Sequence, residues 1–206
     1  MANTITRRAF FNHTAVYAGA AFLAMNFPRT LRAAKESDTP AVLSQSEWAT
    51  VEAITGRIIP TDSDPGAIEA GCVNFIDKAL ANEDQLLRPE YEAGLRGLDA
   101  ASQKRFRKSF ITLDPQQQDE VLAAMESGSA EGWPKGDLAS EQFFETVRTH
   151  SVLGFLAKPE YGGNRDYAGW KLMGYPWPRH AEGGYTIAQT QGDADVVTVW
   201  GGKLPR

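Results

Sequence analysis

Ser140-Glu141-Gln142-Phe143-Phe144-Glu145-Thr146-Val147-Arg148-Thr149-His150-Ser151-Val152-Leu153-Gly154-Phe155-Leu156 is the stretch whose reading decides the fold. Phe143, Phe144, Val147, Val152, Phe155 and Leu156 fall at helical spacing, and Ser140 stands where an N-cap is expected. The pattern predicts one long helix with an apolar side to bury. Glycine and proline density rises immediately after it, from Pro159 to Pro178, so the helix hands over to irregular chain.

The segments on the N-terminal side repeat this logic. Ser44-Gln45-Ser46-Glu47 has capping-box spacing, and Trp48, Val51, Ile54, Ile58 and Ile59 follow at helical intervals until Pro60 stops the run. Thr61 to Gly66 is turn-rich. The next helix is predicted from Ala67 to Ala81, with Val73, Phe75, Ile76 and Leu80 inward. A third is predicted from Pro89 to Phe110, with Tyr91, Leu95, Leu98, Phe106 and Phe110 buried and Lys104, Arg105, Arg107 and Lys108 turned to solvent. Asp114-Pro115 pairs an N-cap with proline at the first helical position, ahead of Val121, Leu122 and Met125. A short run, Val196 to Trp200, favours a strand or an extended tail. The fold class expected is mainly α. A single compact helical domain with long irregular Gly/aromatic-rich loops is preceded by an export signal.

That signal is Thr6-Arg7-Arg8-Ala9-Phe10-Phe11, followed by an uncharged stretch from His13 to Phe27. Arg7, Arg8 and Phe10 make a twin-arginine leader, a route that carries proteins already folded. The apolar run behind it is too short and too rich in Ala and Gly for a membrane span, which needs roughly 18 residues or more. Residues 1–34 are therefore assigned to the signal, 35–42 to a linker, 43–180 to the helical domain and 181–206 to a tail. Membrane association would be indirect, or through an uncleaved signal, and the localisation expected is periplasmic.

The whole chain carries a formal net charge of −5. Four basic residues (Arg7, Arg8, Arg29, Arg32) lie before Lys35, where there is no Asp or Glu, so the remainder carries −9. A surface of that sign repels nucleic acid and anionic lipid. Cys72 is the one cysteine, which excludes an internal disulfide. It is either a buried small hydrophobe or half of an intermolecular bridge.

Chemistry-bearing groups are sparse. No phosphate loop, dinucleotide fingerprint, nucleophile elbow or Cys-x-x-Cys-His haem motif occurs, and His150 and His180 are not paired at metal-binding spacing. No cofactor or metal is expected to bind this chain itself. His150, amid apolar positions, reads as a hydrogen-bonded core or interface histidine. A catalytic role would need a carboxylate such as Glu160 or Asp166. The densest signal is Gly154 to Pro178, where Phe155, Tyr161, Tyr167, Trp170, Tyr175 and Trp177 interleave with glycines. This composition suits a protein–protein interface. It equally suits a loop whose aromatics cover the domain's own core.

Pro159-Glu160-Tyr161-Gly162-Gly163-Asn164-Arg165-Asp166-Tyr167, continued by Gly169-Trp170-Lys171-Leu172-Met173-Gly174-Tyr175-Pro176, resembles the signature of the gluconate 2-dehydrogenase subunit 3 family. Arg57-Ile58-Ile59-Pro60-Thr61-Asp62, Gly66-Ala67-Ile68-Glu69-Ala70-Gly71 and Phe75-Ile76-Asp77 fit the same pattern. The resemblance implies a small subunit that is not itself catalytic. Its partner would be an FAD-containing large subunit of the glucose–methanol–choline (GMC) type, with electrons passing to a multihaem cytochrome c carrying haem c. The small subunit would escort and stabilise the flavoprotein and supply the export signal for both. Tyr161, Gly162, Gly163, Asn164, Tyr167, Trp170, Tyr175 and Pro176 would then form the partner interface, and Cys72 is the candidate for a bridge to the partner. The alternative is a periplasmic module whose aromatic loop stacks on a sugar.

Overall fold

The computed structural model describes residues 39–175, together with Ala188 and Gln191. Among the described residues are six α-helices and no strand: α1 Gln45–Ile58, α2 Cys72–Ala81, α3 Arg88–Phe106, α4 Pro115–Glu126, α5 Ser140–Leu156 and α6 Ala168–Met173. No helix among them is long and apolar enough to cross a membrane. The strand-favouring run 196–200 lies outside the described residues.

Local chemistry starts two of these helices where the sequence places them. Ser44 is extended and its Oγ accepts from Glu47 N–H at 3.2 Å, while the Glu47 carboxylate accepts from Ser44 N–H at 2.8 Å. Asp114 accepts from Gln117 N–H at 2.9 Å, and Pro115 fills the position whose N–H would have no partner.

Three boundaries differ from the sequence expectation, each for a backbone reason. The second helix starts at Cys72, not Ala67, because Gly71 takes a left-handed conformation (φ 69°) and residues 67–71 close as turns. The third ends at Phe106, because Arg107 is itself left-handed (φ 59°) and its N–H bonds back to Gln103 O. Phe110 therefore reaches the core from a short 3-10 turn, its N–H held by Asp99 Oδ1 at 2.9 Å. The N-cap of α5 is Ala139, and the Ser140 hydroxyl instead donates to Met125 O at 3.3 Å, tying α5 to the end of α4. A fourth difference lies beyond α5. The stretch from Pro159 is not a long irregular loop but two 3-10 turns followed by α6.

Among the described residues, helix α5 packs against each of the other five helices. Phe143, Val147 and Phe155 are fully buried on it, while Phe144, Val152 and Leu156 are half-buried. The main core joins Phe143 and Val147 to Trp48, Val51 and Ile54 of α1, Ile76 and Leu80 of α2, Leu98 of α3, and Val121 and Met125 of α4. Each such side chain contributes about 1.5–3 kcal/mol of transfer free energy. A second, smaller core at the C-terminal end of α5 gathers Ile59, Ala67, Ala70, Cys72, Phe155 and Ala168. The segment singled out in the sequence folds over that end.

Candidate functional site

A helix ends with carbonyls that have no partner in the next turn. At the end of α5, side chains of the following segment supply those partners. Trp170 Nε1–H donates to Leu156 O at 2.8 Å, and Asn164 Nδ2–H donates to Ala157 O at 2.8 Å. The Asn164 side-chain oxygen accepts from Gly169 N–H at 2.9 Å, so one fully buried amide joins the end of α5 to the start of α6. The same segment is fastened to α2 and to the turn ahead of it. Asn74 Nδ2–H donates to Gly162 O at 2.8 Å, and Arg165 N–H donates to Ala70 O at 3.0 Å. The result is a tight corner, residues 157–175, pinned across two helices.

The backbone of this corner is unusual. Asn164, Asp166 and Tyr167 all have positive φ (48°, 54° and 59°). Asn and Asp tolerate this conformation, but an aromatic residue there carries strain that only surrounding packing sustains. A side chain at position 163 or 169 would overlap the carbonyl oxygen of Gly154 or Phe155, respectively, so α5 backbone and corner backbone lie in direct contact. On this frame the rings stack outward. Tyr167 lies on Trp170 with centroids 5.5 Å apart, and Tyr175 lies against the same Trp170 at 5.4 Å.

A second polar constellation sits inside the bundle. Tyr91 Oη and His150 Nδ1 are 2.8 Å apart, and His150 Nε2 lies 3.4 Å from Asp84 Oδ2. Burial, reinforced by the charges of Glu90 and Asp84, holds the Tyr91 phenol well above its ordinary pKa, so it keeps its proton. The Tyr91 hydroxyl shares its hydrogen bond with Nδ1, and which of the two donates depends on the His150 tautomer. The constellation runs from the core to a partly exposed carboxylate, with His150 itself buried.

A family model described as gluconate 2-dehydrogenase subunit 3 matches residues 45–176. The chain belongs to that family. No curated protein and no solved structure matches it. The match runs from the first residue of α1 through the corner, so it covers all six described helices. Arg57, in a stretch that carried the resemblance, forms a two-point pair with Asp119 (Nε to Oδ1 and Nη2 to Oδ2, both 2.6 Å), clamping the end of α1 to α4. That hydrogen-bonded carboxylate raises the pKa of the guanidinium further.

The structure redistributes the residues expected at the partner interface. Tyr161, Gly163, Asn164 and Trp170 are buried in this chain's own interior, so they are not surface anchors. Their inward turn follows from the carbonyls they satisfy and the close backbone approach they permit. Gly162, Tyr167 and Tyr175 are half-buried, with Asp166 and Met173 exposed beside them. Trp170 is 6% exposed and offers no open face for a sugar to stack on. Pro176, like Arg7, Arg8 and Phe10, lies outside the described residues.

Cys72 is a free thiol with no exposed surface, and burial pushes its pKa up. A bridge to a partner would require an accessible sulfur, which this packing denies. The carboxylate at His150 is Asp84 rather than Asp166 or Glu160; Asp166 sits exposed on the corner and Glu160 pairs with Lys158. Among the described residues, no three His, Cys, Asp or Glu side chains gather as a metal site.

Sequence reasoning missed one buried group outright. Asp77, on α2, is 2% exposed and accepts backbone N–H bonds from Ala41, Val42 and Leu43. Its donors lie more than thirty positions away, so no local pattern marks it. The only sequence signal was its place in Phe75-Ile76-Asp77.

Proposed function

We propose that this chain is the non-catalytic small subunit of a flavin-dependent sugar or polyol dehydrogenase complex. It escorts and stabilises an FAD-containing large subunit of the GMC type and supplies the twin-arginine export signal through Arg7 and Arg8. Electrons leave the flavoprotein through a multihaem cytochrome c, and the assembly works in the periplasm. The observation that carries this reading is the family match over residues 45–176.

Two further observations support it. The leader has charge, apolar core and small-residue boundary in the order an export signal requires. The corner holds Tyr167 and Tyr175 half-exposed against the buried Trp170, with Met173 51% exposed nearby. Aromatic rings already fixed by their own chain lose little freedom on binding, which suits them to contact a partner.

The test is a pull-down of the tagged full-length chain from its native periplasm, with an absorption spectrum and mass analysis of what co-purifies. A flavoprotein at one-to-one stoichiometry is the expected result. Changing Arg7 and Arg8 together to Lys is expected to abolish exported dehydrogenase activity. Normal export of the partner in that double variant would defeat the escort reading.

A further inference from the structure

The buried carboxylate of Asp77 accepts three hydrogen bonds from one short piece of backbone. Ala41 N–H reaches Oδ2 at 2.6 Å, while Val42 and Leu43 N–H reach Oδ1 at 3.0 and 2.9 Å. A carboxylate this buried is tolerable only when hydrogen bonds replace its water, and bonds to an ionised acceptor are the strong kind. The side chains of the same segment also dock: Leu43 is buried in the main core and Val42 packs against it. Residues 41–43 immediately precede Ser44, the cap of α1, and span the junction between the linker that follows the leader and the helical domain.

Asp77 occupies the middle of α2, whose residues from Cys72 to Asp77 are all buried and whose chief neighbour is α5. Its neighbour Asn74 holds the corner through Gly162 O. The acceptor for residues 41–43 therefore sits in the right place only once α2 has formed and packed on α5. An unfolded or partly folded domain offers no such acceptor.

We propose that Asp77 is a folding-dependent latch on the chain ahead of α1. It fixes the point at which the leader leaves the domain only when the core behind it is complete. This rests on the export reading for its consequence, since a route that carries folded proteins needs the leader presented by a folded domain. Asp77 is a positioning residue here: it acts on residues 41–43 and through them on the leader.

The experiment is hydrogen exchange on the full-length chain, resolved to residues 41–43, in wild type, Asp77→Asn, Ala41→Pro and Leu98→Ala. Asp77→Asn conserves volume but turns an N–H₂ group toward N–H donors. Ala41→Pro removes one donor from an exposed position and leaves α2 untouched, so it reports even if Asp77→Asn does not fold. Leu98→Ala weakens the core away from the latch and serves as a destabilised reference. Exchange at Val42 and Leu43 is expected to quicken about tenfold or more in the two latch variants, as loss of a charge-assisted bond implies. In Leu98→Ala it should quicken only in step with the fall in global stability. Unchanged exchange in both latch variants, or quickening that merely tracks global stability, overturns the proposal.

Export is then measured for the same variants beside the Arg7→Lys, Arg8→Lys pair. Reduced export in Ala41→Pro, with its core intact, supports the coupling; wild-type export from a chain whose 41–43 segment exchanges freely overturns it. If the arginine pair exports normally, the export reading fails while the exchange result still decides whether the latch exists.

Discussion

Tyr91 and His150, 59 positions apart in the chain, share a 2.8 Å hydrogen bond in the interior of the helical bundle, and their rings stack with centroids 5.7 Å apart. Tyr91 also meets Phe143 edge-on at 5.6 Å. Tyr91→Phe would keep both ring contacts and leave Nδ1 without its hydrogen-bond partner. Stranding one buried partner costs about 1–3 kcal/mol, more than the bond's net worth. Tyr91→Phe and His150→Phe are each expected to lower stability by that order. The double variant should cost less than the sum, because neither partner is then left unsatisfied. Urea unfolding of the four proteins checks this, and strict additivity would show that the two side chains do not depend on each other.

What the sequence made legible was whatever is encoded within one turn of chain. Ser44 with Glu47 and Asp114 with Pro115 announce their helices because the bonds they make are local. The face of α5 was legible because Phe143, Val147 and Phe155 repeat at the helical period. Arg107 was not, since nothing in an arginine signals that it will adopt the left-handed conformation usually left to glycine. Helix α6, six residues long, is too short to show a period and stands by tertiary packing. The direction of Trp170 was undecidable from composition, because interface and self-covering loops draw on the same residues. Its Nε1 bond to Leu156 O, across fourteen positions, settles that direction.

Close backbone approach at the corner leads to a graded prediction for its glycines. A methyl group at 163 or 169 meets a carbonyl oxygen of α5 at overlapping distance, and neither neighbour is a flexible side-chain tip. Gly163→Ala and Gly169→Ala are each expected to cost more than about 2 kcal/mol, or to prevent soluble expression. Gly136→Ala is the control: nothing lies within 4 Å of a Cβ built there. It should be neutral, or stabilising by up to about 1 kcal/mol through the unfolded chain. Thermal unfolding of the three variants reads the ranking directly. Equal midpoints would mean that the corner does not lie against α5.

The same corner separates stability from binding. Trp170→Ala removes a buried ring and the Leu156 cap together, and is expected to cost about 3–5 kcal/mol of folding stability. Trp170→Phe keeps most of the ring and should cost less. Tyr167→Ala and Tyr175→Ala trim half-exposed rings. If these face the large subunit, each should weaken the complex by about 1–3 kcal/mol, measured by titration against the purified flavoprotein. The unfolding midpoint should move much less than in Trp170→Ala. Unaltered affinity in both tyrosine variants would place the interface elsewhere on the domain.

Burial of Cys72 and Tyr91 makes this protein sensitive to alkali in a specific order. Both groups hold their protons in the folded state well above their usual values, 9.0 for the thiol and 10.0 for the phenol. With the folded pKa raised above the unfolded one, the stabilisation is complete below the unfolded value and falls away as pH rises beyond it. Between about pH 9 and 10 only the unfolded thiol ionises; above 10 the phenol joins it. Each group then removes about 1.4 kcal/mol per pH unit. Cys72→Ala abolishes the first of these steps. The stability gap between wild type and Cys72→Ala, from urea unfolding at pH 7 to 10.5, should be constant below pH 9. It should then shrink by about 1 kcal/mol over the next unit. In the folded wild type the same thiol should react slowly with iodoacetamide at pH 8. Parallel stability curves with fast alkylation would mean that the sulfur reaches solvent in the native state, and a bridge from Cys72 to a partner would again be physically open.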